Sequence, residues 1–441
     1  MRHDKVDAAV IGAGLVGSLL SIFLARRGHK VTVYERRPDM RRERMVAGRS
    51  INLAISTRGL HALSLVGLEH EVLKRAIPMR GRMMHSPAGE LTFQRYGRDD
   101  SQYINSISRS DLNKILITAA ENAGNVKVEF NNPIEDPRIL DEPIVFGADG
   151  SGSAARRALS ANPEFNSVET NLDHGYKELA IAPGPGGTHR LERNALHIWP
   201  RGTYMLIALP NFDGSFTCTL FLPFKGPVSF GALKTGIEVS AFFREHFSDA
   251  LPLIETLENA FFTNPTGHMV TVKCGPWNQD DRTLLLGDAA HAIVPFFGQG
   301  MNCGFEDCEV LDTLLDRHSD RAEAFSAFFA SRKPNCDAIA DMAVENFVEM
   351  RDKVADKHFL LEKAVEHILQ EKFPDRYIPR YALVTFSRVP YKFAYDVGVA
   401  QAGILAELCH DLDAPEEVDL KRAEKLINER LPRIGDQDAN I

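Results

Sequence analysis

Gly12, Gly14 and Gly17 stand in the order G-x-G-x-x-G directly after the apolar run VDAAVI. Glycines at these spacings allow a tight turn, a close backbone approach to a pyrophosphate, and close packing of a helix on a strand. A helix opening at this point, with Val16 in its first turn, turns its free N–H groups and positive dipole end toward phosphate. Glu35 lies 18 positions after Gly17, at the end of the run KVTVY. There a carboxylate accepts hydrogen bonds from ribose hydroxyls. Arg36 and Arg37 follow, and one of them, with Arg36 the candidate, would touch a cofactor phosphate. The rest of the basic run, through Arg44, reads as a solvated loop. This fingerprint alone does not separate FAD from NAD(P), although Glu35 would repel a 2′-phosphate.

Two later constellations bear on that choice. IVFGADGSGSAARRAL contains Asp149-Gly150, Ser153 and Arg156 after a short apolar strand. TLLLGDAAHAIVPFFGQGMNCGFED delivers Asp288 at the end of another strand, where its carboxylate could accept from the ribityl hydroxyls of a flavin. Pro295 fixes the loop that follows, and Gly298 and Gly300 let backbone approach closely. A helix then starts near Met301 and Asn302, and its positive end would stabilise negative charge on a reduced flavin.

The elements that must hold these residues follow from the pattern. VDAAVI is a buried strand, the next helix ends near Arg27 with Gly28 beyond it, and Lys30–Tyr34 is the second strand. The apolar run Ala8–Ala25 is interrupted by glycines and serines, and so reads as strand and buried helix rather than as an export or membrane segment. With 441 residues there is room for about three domains. Sixty acidic against 51 basic side chains give a net charge of −9, which argues against a nucleic-acid binder. Six scattered cysteines without a C-x-x-C pair suggest neither a disulfide framework nor a metal site, and point to reduced thiols in the cytoplasm. The charged C-terminus does not read as a membrane anchor.

GAGLVG, ADGSGSAAR and GDAAHAIVPFFGQGMN in this order resemble the single-component FAD-dependent aromatic hydroxylases of the p-hydroxybenzoate hydroxylase type. The resemblance implies an α/β fold: a Rossmann-like FAD-binding domain, an inserted antiparallel substrate sheet and a C-terminal helical region. The FAD domain would be discontinuous over about 1–80, 100–175 and 265–325, the sheet over 80–100 and 176–264, and the helical region over 326–441. It implies bound FAD and NADPH as co-substrate, with O2 added at the flavin C4a position and delivered to an electron-rich ring. The chemistry is then the cofactor's, with no protein catalytic residue and no metal. His291 becomes a structural member of the flavin loop, and Phe296 and Phe297 are candidates for keeping water out. Arg109, Ala54 and Ile134 match cofactor contacts of the family.

Further stretches, including MRGRMMHSPAGELTFQRYG, VENFVEMRDKV and RYALVTFSRVPY, resemble the branch of the family that hydroxylates kynurenine. The first reads as a hairpin turning at Pro87-Ala88-Gly89, with Arg82 on one arm and Tyr96 at the end of the other. An arginine and a phenol suit a carboxylate, and the resemblance assigns this pair to the amino acid carboxylate of the substrate. It places Asn346, Glu349 and Tyr381 in the same pocket. Asn346 and Glu349 are three apart and share a helical face. Three alternatives stand beside this reading: a flavin hydroxylase of another aromatic compound, a non-catalytic carrier on the same fold, and an NADP dehydrogenase using the first fingerprint.

Overall fold

The computed structural model describes residues 6–42, 52–349 and 357–433. Arg44 of the basic run, the stretch after Glu349 and the last eight residues lie outside them.

The strand Asp7–Ile11 pairs in parallel with Lys30–Glu35 on one side and Ile144–Gly147 on the other. Val126–Phe130 and Thr283–Leu285 extend the sheet in parallel, and the two-residue strand Asn278–Gln279 closes it antiparallel. The helix Leu15–Arg27 connects the first two strands and is buried from Gly17 through Ala25. That explains why it is apolar nearly all round rather than on one stripe. Gly28, at φ 92°, ends it as the sequence predicts. The Rossmann-like unit is therefore present.

The second sheet has seven strands, in the order Thr266–Gly275, Asn166–Ile181, Phe216–Pro223, Tyr204–Pro210, Ala195–Arg201, Gly81–His85 and Leu91–Arg95. It differs from expectation in three ways. First, Ala195–Arg201 and Gly81–His85 run parallel, so the sheet is mixed rather than antiparallel. Second, Thr266–Gly275 and the first half of Asn166–Ile181 belong to it, although the sequence pattern assigned 265–325 and 100–175 to the cofactor domain. The Asn166–Ile181 strand is 16 residues long, with an irregularity between Asn171 and Gly175, so one continuous strand crosses the expected boundary. Third, two helices, Gly236–His246 and Leu257–Thr263, cover its outer face. The first opens with a capping box between Thr235 and Glu238, a T-x-x-E signal legible in the sequence.

Alternation along the strands gives this sheet two apolar faces. Leu206, Ala208, Leu220 and Leu222 pack with the covering helices. Met205, Ile207 and Phe221 turn the other way and join the core of the cofactor domain. A small third sheet, made of Asn52–Ile55, Ile104–Ser108 and Ile77–Met79, lies between these bodies. Helices Arg321–Val348, Lys357–Lys372, Arg380–Phe386, Tyr391–Cys409 and Leu420–Arg430 complete the described chain.

Candidate active site

The three glycine-bearing motifs meet at one edge of the parallel sheet. Gly12 holds φ 101°, and a Cβ there would lie 2.6 Å from the Ala148 carbonyl oxygen, so the first motif rests on the second. Val16 is wedged against the third, because a Cβ on Gly287 or Gly304 would meet its side chain at 2.9 or 2.5 Å. These glycines are explained by protein packing. Gly14 is not: its φ is −71°, and a Cβ would meet nothing within 4 Å. A glycine that the fold does not need, at the start of a helix, fits a backbone kept bare for a ligand.

Electrostatics agree. The helices Leu15–Arg27 and Gly300–Arg317 begin side by side, and neither has a side-chain cap or an acid in its first turn. Two uncapped positive ends in contact favour an anion between them. Asp288 is half-buried beside them, and its carboxylate hydrogen-bonds to no described residue. Asp149 is used differently. It accepts from Ser153 and from the Ala154 and Ala155 amides, and Arg156 reaches the Ala289 carbonyl at 2.9 Å. The D-G-x-x-S-x-x-R motif therefore braces the Asp288 loop from inside the protein.

Glu35 is buried and accepts from the Ala13 amide at 2.9 Å, which fixes the first turn. Burial pushes its carboxyl up, but the Arg37 guanidinium and nearby amides outweigh this, so its pKa is lowered and it stays ionised. Arg37 is thus committed to Glu35, which leaves the exposed Arg36 as the free member of the pair. Ile134 follows a segment tied to this strand through the Asn132 amide and the Glu35 carbonyl, 3.0 Å apart. Arg109 opens the helix Arg109–Asn122, is exposed, and hydrogen-bonds to no described residue. Asn113 of that helix holds the Ala13 carbonyl at 3.1 Å.

The loop from Pro295 to Asn302 is held from several sides. Asn302 is fully buried; its amide donates to the Ala54 and Gly298 carbonyls and its oxygen accepts from the Ser56 amide, each at 2.9 Å. Its side chain is therefore a clamp inside the protein, and only its backbone N–H remains for a cofactor. Asn346 donates to the Phe296 carbonyl at 2.6 Å. The helix that carries Asn346 thus touches the loop itself. Glu349 lies 3.8 Å from Arg380, the residue before Tyr381. Behind the loop, Glu306 and Asp307 bind Arg58 and Arg332, and His291 donates to Asp307 at 2.6 Å. His291 is buried in this brace.

Arg82, Tyr96 and Tyr381 converge in front of the loop. The hairpin Gly81–His85/Leu91–Arg95 forms as predicted. The Arg82 guanidinium lies 5.2 Å from the Tyr96 ring and 5.0 Å from the Tyr381 ring. The two phenols stack at 5.7 Å, and Tyr381 stacks on Phe297 at 5.6 Å. All three side chains are surrounded by protein yet partly accessible, as groups lining an internal hollow are. Burial disfavours the Arg82 charge, but the phenols outweigh it and its pKa rises, while burial pushes both phenols up. Among the described residues no carboxylate pairs with Arg82, and an unpaired inward-facing guanidinium is an anion site.

The walls of the hollow were not read from the sequence. Met79, Ile104 and Leu209 cluster with Tyr96, Leu196 and Phe386, and Phe221 meets Phe296 at 5.0 Å. The signal was present as the alternation Met205, Ile207, Leu209 along one strand. What the sequence lacked was which face looks inward.

A family model described as FAD binding domain matches residues 5–137 and 254–346. Kynurenine 3-monooxygenase of Myxococcus xanthus (strain DK1622) is 58% identical, over 98% of this chain and 96% of its own length. That of Stenotrophomonas maltophilia (strain K279a) is 46% identical, over 98% of both. Among solved structures, the tetrameric form of 2-methyl-3-hydroxypyridine-5-carboxylic acid oxygenase aligns with a TM-score of 0.66 at 20% identity, covering 80% of this chain and 94% of that one. PqsL of Pseudomonas aeruginosa in complex with 2-aminobenzoylacetate gives 0.61 at 19%, covering 79% and 97%. These two share the fold. The family model and the near-full-length identities show the family: the chain belongs to the FAD-dependent aromatic hydroxylases, among the kynurenine 3-monooxygenases.

Proposed function

We propose that this protein hydroxylates L-kynurenine to 3-hydroxykynurenine, using FAD, NADPH and O2. The carrying observation is Arg82, without a carboxylate partner among the described residues, held between Tyr96 and Tyr381 with Phe297 of the flavin loop against the second phenol. A carboxylate at Arg82 would direct the aromatic end of an amino acid toward that loop. Bound flavin supplies the electron transfer and the oxygen activation.

The side chains do the rest. Gly12, Val16 and Gly17 build the turn by packing, the bare Gly14 backbone would face the pyrophosphate, Glu35 would take the ribose, and Arg36 and Arg109 would meet the phosphates, with Ile134 alongside. Asp288 holds the ribityl chain. Pro295, Gly298, Gly300 and Met301 shape the loop at the flavin ring, and Ala54 and Asn302 fix its position. Arg82 and Tyr96 hold the substrate carboxylate, and Tyr381 packs on its body. Asn346 acts through the Phe296 carbonyl, and Glu349 closes the same side. Phe221, Phe296 and Phe297 exclude water, which such oxygen chemistry needs.

Among the described residues no helix is long and apolar enough to cross a membrane. Six free, buried cysteines suit a reducing cytoplasm. The test is NADPH oxidation with and without L-kynurenine, with the product identified by mass. Stimulation by simple phenols but not by kynurenine would favour another aromatic substrate. A chain purified without flavin and unable to take it up would favour a carrier.

A further inference from the structure

Behind the flavin loop lies a pair of sulfurs for which the hydroxylation has no use. Cys303 sits in the first turn of the helix Gly300–Arg317, and Cys336 lies within Arg321–Val348. Both are fully buried, and their Sγ atoms are 3.5 Å apart. His291 turns Nδ1 toward the Cys303 sulfur at 4.0 Å while its Nε2 faces Asp307. Arg332 Nη2 lies 3.3 Å from the same sulfur.

Among the described residues, Arg58 and Arg332 pair with Glu306 and Asp307, and His291 stands between Asp307 and the Cys303 sulfur. Burial pushes that thiol up, but the Cys336 S–H, His291 and Arg332 reverse this, and its pKa is lowered. Cys336 is pushed up by burial and by its neighbour, and keeps its proton. An imidazolium and a guanidinium beside a first-turn cysteine are the setting of a reactive thiolate.

We propose that Cys303 and Cys336 form a redox couple that consumes hydrogen peroxide at the flavin loop and closes to a disulfide. The Cys303 thiolate attacks one peroxide oxygen, the O–O bond breaks, and the departing hydroxide takes a proton from His291. Cys336 then attacks the resulting sulfenic sulfur, loses its own proton, and water leaves. Two thiols are oxidised by two electrons and one peroxide is reduced to two waters. The couple rests on this geometry; its internal supply of peroxide, from reduced flavin and O2 when no substrate takes the oxygen, rests on the proposed function. His291, Cys303, Asp307 and Cys336 also lie close enough to hold a metal ion. However, Arg332 already contacts both Cys303 and Asp307, and so fills the place of a cation.

The test uses reduced FAD-loaded protein, given either hydrogen peroxide or NADPH in air without an aromatic substrate, then alkylated in denaturant. The couple predicts loss of two of the six thiols, a cross-linked Cys303–Cys336 peptide, and reversal by dithiothreitol. The oxidation rate should already be level near pH 7, below the about 8.5 of a free thiol. Cys336→Ser should stop at a sulfenic acid on Cys303 trapped by dimedone, and Cys409→Ser should leave the cross-link intact. Oxidation spread evenly over the six thiols, a different pair, or stoichiometric zinc in the purified protein overturns the proposal. Closure by added peroxide but not by NADPH in air overturns the internal source alone.

Discussion

Replacing Arg82 with Met removes a guanidinium while keeping an unbranched apolar stem between the Tyr96 and Tyr381 rings. Truncating one member of a buried, hydrogen-bonded charge pair costs about 2–5 kcal/mol in binding. The lower part of that range applies here. The hollow around Arg82 is partly accessible, and the Tyr96 hydroxyl remains to donate to a carboxylate. A loss of about 2–3 kcal/mol is about 30- to 150-fold in Kd. The assay is titration of L-kynurenine into the FAD-loaded variant, followed by flavin absorbance, beside a kynurenine analogue lacking the carboxylate. The analogue should bind wild type and Arg82→Met alike. Stability should move the other way: substrate-free Arg82 has no described carboxylate partner, so its removal should leave Tm unchanged or raise it. Equal weakening of both ligands would refute the carboxylate assignment, since the defect would then lie in the shape of the hollow.

Gly14→Ala introduces no backbone strain, and its Cβ meets no protein atom within 4 Å, so the chain should fold but bind FAD at least about tenfold more weakly, a loss of about 1.4 kcal/mol or more; a variant that purifies fully yellow removes the ligand explanation for this glycine. Asn302→Ala strands the Ser56 amide and the Ala54 and Gly298 carbonyls. At about 1–3 kcal/mol per buried unsatisfied group, the three groups put the loss in urea unfolding at about 3 kcal/mol or more, with weaker FAD retention, and an unchanged midpoint would contradict the clamp. The brace also sets a pH window. Burial raises the Asp307 carboxyl, but His291, Arg332 and the Gly287 amide outweigh it and its pKa is depressed, so its contribution is present above the unfolded value of about 3.9 and lost as pH falls below it. Burial opposes charge on His291, but Asp307 and Cys303 raise its pKa, so its contribution is present below about 6.5 and lost as pH rises through the folded-state value. Tm against pH should fall on both sides for wild type and flatten for Asp307→Asn; an unchanged profile in that variant would show that the brace does not control stability.

The cofactor half of the site was legible because its constraints are local. A turn that demands φ 101° at Gly12 and an acid at the end of the next strand are both fixed within one strand–helix–strand unit. The hairpin with Arg82 was legible for the same reason. The clamp made by the Asn302 side chain was not legible, because its partners Ala54 and Ser56 lie about 250 positions away. The sheet boundaries failed at Asn166–Ile181, since periodicity along a strand says nothing of which neighbour it pairs with. The brace was invisible for a stronger reason: five charged groups spread from Arg58 to Arg332 look solvated until the fold buries them.

That brace also explains why the flavin loop can be built from glycines. Gly298 and Gly300 leave backbone open for a ligand, and glycine-rich backbone is conformationally permissive. Such a loop would relax unless held from behind. Glu306 and Asp307 project from the second turn of the helix that the loop feeds, toward Arg58 of one neighbouring helix and Arg332 of another. Asp307 also holds the Gly287 amide at 2.9 Å, immediately before Asp288. One carboxylate thereby sets both the strand end before Asp288 and the start of the helix Gly300–Arg317. Buried ion pairs contribute little net stability against apolar replacements. Their value here is positional: each charge left unpaired by a shift of the loop would be heavily penalised, so the loop has one arrangement available to it.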